Sequence, residues 1–219
     1  MKKIILVMLF FCAFFAGKRG MEQAVKTINE LSDEEHPEIA LTFDDGPHGI
    51  YTEQLLAGLK ERDVRATFFL IGQNIEGNED LVKRMKKEGH LVGNHTYHHV
   101  NLKQISEKEA KEEILMTCNK IYDTTGVCTS FVRPPFGEWK KNLDFDITMI
   151  PVSWNVDSLD WTTENVDKTV KRVVKDVKEG DIILMHDIYS SSVEAALRIV
   201  DILKEKGYEF VTVDELLLE

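Results

Sequence analysis

A chain of 219 residues has room for one sizeable core and a short appendage. Hydrophobic content of 43% and charged content of 30% are those of an ordinary globular protein. The excess of 38 acidic over 27 basic residues, net −11, argues against a general nucleic-acid binder and says little else.

The N-terminus reads as a targeting segment. Lys2 and Lys3 precede a continuous apolar run over 4–16, and Lys18 and Arg19 follow it. A positive start and a short apolar run make a secretory signal, and the run is shorter than the ~20 residues that span a bilayer comfortably. Phe14-Phe15-Ala16-Gly17 lacks the small-x-small cleavage pattern. Residues 1–17 are therefore read as a signal peptide or an uncleaved signal anchor, the latter giving membrane attachment through residues 4–16. Cys12 inside the run, with Phe11 before it, does not look like a lipid-attachment site. Either way the remainder is expected outside the cytoplasm. Residues 18–37 are polar, without a strong apolar period, and are read as a linker.

From residue 38 onward, short apolar strands alternate with amphipathic helices. Strands are expected at 39–43, 66–71, 90–93, 131–133, 148–154 and 181–185. Helices are expected at 52–62, 79–87, 107–124, 166–178 and 193–206, with glycines such as Gly89 and Gly126 at their ends. This alternation implies a parallel sheet, either an α/β barrel or an open doubly wound sheet. Nearly every unusual polar cluster follows a strand, which is barrel behaviour, whereas an open sheet would gather them at one switch point. The short length points to an incomplete, distorted (β/α) TIM-like barrel over residues 38–219.

Thr42-Phe43-Asp44-Asp45-Gly46-Pro47 ends the first strand with two adjacent carboxylates. Neighbouring strand side chains point to opposite faces, so the two acids are expected to divide their work between a cation and protons. His95 and His99 are four apart, so one helical turn would put both imidazoles on one face; with a carboxylate they suit a catalytic divalent metal. His98 is expected to face solvent. In Arg133-Pro134-Pro135-Phe136-Gly137 two prolines fix the backbone, and the next free amides belong to Phe136 and Gly137. A fixed N–H can stabilise a developing oxyanion, and Arg133 can pair with a carboxylate. Trp154 to Trp161 brings together two indoles with Asp157 and Asp160, a composition suited to sugars and equally to core packing. The apolar run ending in Met185-His186-Asp187 offers an imidazole beside a carboxylate, a candidate general acid or a satisfied structural pair. Cys118 and Cys128 could form a disulfide in an oxidising compartment, and two separate buried thiols fit equally well.

Taken in order, these clusters resemble the polysaccharide deacetylase family (carbohydrate esterase family 4, the NodB homology domain). The resemblance covers about residues 38–219, and its motifs look most like those of bacterial peptidoglycan N-acetylglucosamine deacetylases. It implies Asp44 as general base, with Asp45, His95 and His99 holding a divalent metal, zinc before cobalt or another transition metal. It implies His186 as general acid tuned by Asp160, Arg133 as the residue orienting the base, and the Phe136 amide as an oxyanion donor. Pro135, Phe136, Gly137, Trp161 and Leu184 would contact substrate, with Trp161 and Leu184 around the acetyl methyl. Many relatives carry Tyr where Phe136 stands, so a hydroxyl contact is lost. The implied substrate is a cell-wall polysaccharide, most simply peptidoglycan. Chitin oligomers or acetylated xylan are the alternatives, and a non-catalytic glycan-binding protein is a third reading. No protein partner is implied.

Overall fold

A computed structural model describes residues 36–140 and 149–218. The segment read as signal and linker lies outside the described residues, apart from His36 and Pro37. Among those described, no helix is long and apolar enough to cross a membrane. Residues from Pro37 onward form a compact unit.

The first strand, β1 (Glu38–Asp44), is buried along its whole length after Glu38, as expected of a parallel strand covered on both faces. Its alternate residues serve two compartments. Ile39, Leu41 and Phe43 join Leu55, Leu56, Leu59, Ile199 and Leu203 in the main core, between the sheet and the helices α1 (Tyr51–Glu61) and α5 (Ser190–Glu205). Ala40 instead joins a smaller inner cluster with Phe69, Phe131, Val152, Ile182 and Val213. Thr42 and Asp44 continue along that inner face towards the strand's carboxyl end.

The other strands are β2 (Thr67–Leu70), β3 (Leu91–Asn94), β4 (Phe131–Val132), β5 (Ile150–Pro151), β6 (Val156–Asp157), β7 (Ile182–His186) and β8 (Glu209–Val211). They form one sheet in the order β5-β4-β3-β2-β1-β7-β6, with every pair parallel. β8 pairs with Glu38–Ala40 at the start of β1, whereas β2 pairs with Thr42–Asp44 at its end. The edge strands β5 and β6 do not pair with each other, so the curled sheet is an incomplete TIM-like barrel. Helices α2 (Glu79–Lys87), α3 (Glu107–Thr125) and α4 (Val166–Asp176), with α1 and α5, cover the outside. The first turn of α3 is held by a reciprocal capping box between Ser106 and Glu109, and Gly126 at φ 70° ends the helix.

Two expectations needed correction. The single strand expected over 148–154 is instead the two-residue β5, and a second short strand, β6, follows just beyond that range; residue 148 itself lies outside the described residues. Val152 N–H still bonds to Val132, but Asn155 N–H bonds to Ile182. Over the three residues 153–155 the chain crosses from one edge of the open sheet to the other, which no strand can do while staying hydrogen-bonded to one neighbour. The second correction is β8 with α6 (Val213–Leu218), which the sequence reading left out. The only buried apolar residues there are Phe210, Val211 and Val213, too short a pattern to show a period. Val213 closes the floor of the barrel, its N–H bonding to Thr67 Oγ1 at 3.0 Å.

Candidate active site

The site is built at the carboxyl ends of the strands. Strand register sets Asp44 beside His186 on the inner face, one residue beyond Phe43 and Met185. Asp44 Oδ1 lies 2.8 Å from Nη1 of Arg133, which is fully buried. The same nitrogen bonds to Thr42 Oγ1 at 2.6 Å, and the Thr42 hydroxyl donates to the Ile183 carbonyl at 2.6 Å. The guanidinium also reaches the carbonyls of Val152 and Ser153, and lies 4.3 Å above the centre of the Phe69 ring. A buried guanidinium is costly unless paired, and this one has a carboxylate, a hydroxyl, two carbonyls and an aromatic face. Burial lowers its pKa, and Asp44 partly restores it.

Asp45 departs from strand alternation. Its φ is 74°, in the left-handed region that Asp tolerates better than most residues, so its side chain turns back into the same mouth as Asp44. Asp45 Oδ1 then stands 3.3 Å from Nε2 of His95 and 3.3 Å from Nε2 of His99. The two histidines are not on a helical turn, as their spacing predicts. They flank an irregular loop in which Thr96 has φ 65° and His99 has φ 55°. The two left-handed residues, together with the Thr96 N–H bond to Asn94 Oδ1 at 2.8 Å, bring the rings within 5.0 Å. His98 is exposed and bonds through Nδ1 to Glu113, clear of the pair.

One donor atom from each of Asp45, His95 and His99 lies within 4.8 Å of the other two. His95 Nδ1 is 2.6 Å from the Arg133 carbonyl, so Nδ1 carries the hydrogen and Nε2 keeps its lone pair towards Asp45. Burial lowers the His99 pKa, and His95 lowers it further, which favours the neutral ligating imidazole. Asp45 Oδ1 is buried without a hydrogen-bond partner. Burial raises the Asp45 carboxyl, but His95, His186 and His99 together bring it below the usual range. Two imidazole lone pairs and an orphaned carboxylate oxygen converging on one point fit a divalent cation.

Across the mouth, His186 Nε2 is 4.0 Å from Asp45 Oδ2. His186 Nδ1 is 2.8 Å from Asp160 Oδ1, and the His186 backbone N–H donates to Asp160 Oδ2 at 2.8 Å. Ser158 Oγ and the Trp161 N–H add bonds to Asp160 Oδ1, both at 3.0 Å. Burial opposes the imidazolium, but Asp160 outweighs it and His186 is pushed up to about 9.

Pro135, Phe136 and Gly137 form a single 3₁₀ turn, with Phe136 at φ 61°. The Gly137 N–H is taken by the Pro134 carbonyl at 3.1 Å, whereas the Phe136 N–H has no backbone partner among the described residues. The Phe136 ring is 65% exposed and stands edge-on to His99, centroids 5.0 Å apart. Trp161 is 57% exposed, while Leu184 is buried two residues before His186, on the same inner face. Cys118 and Cys128 are both free, the first buried and the second exposed. Sequence reasoning gave no role to Thr42, Ser158 or Thr52, and it set Asp187 beside His186 as an imidazole–carboxylate pair, whereas the imidazole bonds to Asp160. Thr and Ser in strands and turns carry no mark of their partners.

A model of the polysaccharide deacetylase family matches residues 32–149, more than half of the chain. The chain belongs to the polysaccharide deacetylase family. This family is metal-dependent, in keeping with the Asp45–His95–His99 cluster. Among curated family members, the peptidoglycan-N-acetylglucosamine deacetylase PgdA of Listeria monocytogenes is 37% identical over 214 residues, 98% of this chain and 46% of its own length. The peptidoglycan-N-acetylmuramic acid deacetylase PdaC of Bacillus subtilis is 40% identical over 187 residues, 85% of this chain and 40% of its own. This deacetylase-family chain thus spans about half the length of these two relatives. The solved structure of PdaC superposes with a TM-score of 0.81 at 40% identity, covering 84% of this chain and 91% of that one.

Proposed function

We propose that this protein removes N-acetyl groups from N-acetylglucosamine residues of peptidoglycan, hydrolysing the amide to acetate and a free sugar amine. The observation that carries the reading is the separation of three devices in one mouth: an Asp–His–His cluster, a carboxylate held by Arg133, and an imidazole held by Asp160. Peptidoglycan as substrate rests on the relatives named above. A location outside the cytoplasm, secreted or anchored to the outer face of the cytoplasmic membrane, is in keeping with that substrate and with residues 1–17, and residues 38–219 are the catalytic domain.

When bound by Asp45, His95 and His99, a divalent cation supplies Lewis acidity that polarises an acetyl carbonyl and acidifies water. Mixed nitrogen and oxygen donors suit zinc, with cobalt a workable substitute. Asp44 accepts the proton of the attacking water, and Arg133 aims its carboxylate. The Phe136 N–H donates to the carbonyl oxygen as negative charge develops there. His186, charged near neutral pH, delivers a proton to the amine nitrogen as the C–N bond breaks, because an unprotonated amide nitrogen leaves poorly. Exposed Trp161 offers a ring face to the sugar, and Leu184 lines the inner side of the pocket beneath the acetyl methyl.

A second reading, N-acetylmuramic acid as the deacetylated sugar, is favoured by the 40% identity to PdaC. Incubating purified protein with peptidoglycan and zinc, then measuring acetate and the mass of each muropeptide sugar, separates the two. Loss of acetyl from glucosamine is expected. Loss from muramic acid alone selects the second reading, and acetate released only from chitohexaose or acetylated xylan overturns peptidoglycan as the substrate.

A further inference from the structure

One fully buried carboxylate beside the site has no part in that chemistry. Asp187 follows His186 at the end of β7 and has no solvent exposure. Its Oδ2 accepts the Thr52 hydroxyl at 2.5 Å, and its Oδ1 has no hydrogen-bond partner. The Thr52 hydroxyl oxygen in turn accepts the His48 backbone N–H at 2.8 Å, and the Thr52 N–H bonds to the His48 carbonyl at 3.0 Å. The carboxylate also lies against Gly46: a Cβ there would overlap both of its oxygens. Two loops distant in sequence are thereby joined. One runs from Asp45 through Gly46 to His48, and the other carries His186 and Asp187.

Such a buried, incompletely satisfied carboxylate is costly to a fold, and burial pushes Asp187 up to about 7. Nearer hydrophobic substitutes would fill the same space at less cost, so its chemistry points to a positional task. Asp45 occupies a left-handed conformation, and an isolated loop would not hold it there. The joined loops also set the 4.0 Å approach of His186 Nε2 to Asp45 Oδ2.

We propose that Asp187, acting through Thr52 and against Gly46, is a positioning residue that holds the Asp45 turn in its ligating conformation and in register with His186. This inference rests on the assignment of Asp45 as a metal ligand. Outer hydrogen-bond partners of metal ligands commonly change affinity by about 10–100-fold when removed. Here the partner acts on the turn that presents the ligand.

The test uses Thr52→Val, which keeps shape and removes the hydroxyl, with Thr52→Ser as the rescue and Asp187→Asn as a second probe. Zinc affinity of each metal-free full chain is measured by chelator competition, at a temperature where its melting curve shows it folded. Thr52→Val and Asp187→Asn are expected to weaken zinc about 10–100-fold, and Thr52→Ser to stay close to wild type. In deacetylation at saturating zinc, kcat should fall with KM for the glycan little changed. Wild-type zinc affinity in a folded Thr52→Val overturns the inference, as does equal weakening in Val and Ser. Asp45→Ala serves as the control: its loss of zinc binding supports the underlying assignment, and wild-type affinity in that variant refutes the assignment itself.

Discussion

Nδ1 of His186 lies 2.8 Å from Oδ1 of Asp160, and the other oxygen of that carboxylate accepts the His186 backbone N–H at the same distance. The imidazole is thus fixed in orientation and tautomer by one acid, with Nε2 left towards the mouth. Ser158 and Trp161 also donate to that acid; burial raises its pKa, but His186, through its imidazole and its backbone N–H, brings it below the usual range.

Asp160→Asn keeps an acceptor for Nδ1 and removes the charge that sustains the imidazolium. His186 sits at about 9 in the wild type, so activity requiring its proton declines as pH rises through that value. In the variant this decline is expected to move towards the ordinary imidazole value near 6.5. The loss in kcat should therefore be larger at pH 8.5 than at pH 6. A pH–rate profile with an unmoved alkaline limb would remove Asp160 from this role.

Asp44→Asn and Asp45→Ala separate base from ligand. The first is expected to retain zinc and lose about 10²–10⁴ in kcat, the usual contribution of a positioned acid or base. The second is expected to lose zinc. Metal content by elemental analysis, alongside acetate release, reads both outcomes, and full activity in Asp44→Asn excludes it as the base.

Arg133 ties this chemistry to stability. Asp44→Ala leaves a fully buried guanidinium without its carboxylate, and removing one partner of such a pair costs about 3–5 kcal/mol. Asp44→Asn keeps an acceptor and should cost less. Urea unfolding of the two variants beside wild type gives the comparison; an Asp44→Ala variant as stable as wild type would show that the pair contributes no net stability.

His90 provides an acid-sensitive point remote from the mouth. It is 7% exposed, its Nδ1 accepts the Ala66 N–H at 3.0 Å, and burial holds it down at about 4. Between pH 6.5 and 4 the unfolded chain binds a proton that the folded one refuses, so stability rises with pH across that window. The contribution is complete above 6.5 and amounts to roughly 3 kcal/mol at most. His90→Asn, which keeps an acceptor near the same place, should flatten this part of the stability–pH curve in urea titrations. An unchanged slope would assign it to other groups.

Trp161→Ala should leave stability within about 0.5 kcal/mol, because the ring is mostly exposed. Loss of a stacking face is expected to raise KM for a glycan oligomer about fivefold, near 1 kcal/mol. A KM equal to wild type would place the sugar elsewhere.

Much of this protein was legible in its sequence. Alternation of apolar runs with amphipathic stretches specified strands and helices, because both periods are local. Carboxylates, histidines and arginine stood just after strand ends, and that placement was enough to forecast an open barrel with its site at one rim. Other features depended on partners distant along the chain. Thr52 and Asp187 meet across 135 residues, and Thr42 meets Arg133 across 91. The crossing at 153–155 follows from where the sheet ends, and β8 exists because the first half of β1 has a free side.

Adjacency in sequence already marked Asp44 and Asp45 for different tasks. Tertiary structure decided how they share one mouth: Asp44 is drawn to a buried guanidinium, and a left-handed turn points Asp45 at two imidazoles. Composition and spacing determine which groups are present. Their directions come from backbone angles that only the packed barrel holds in place.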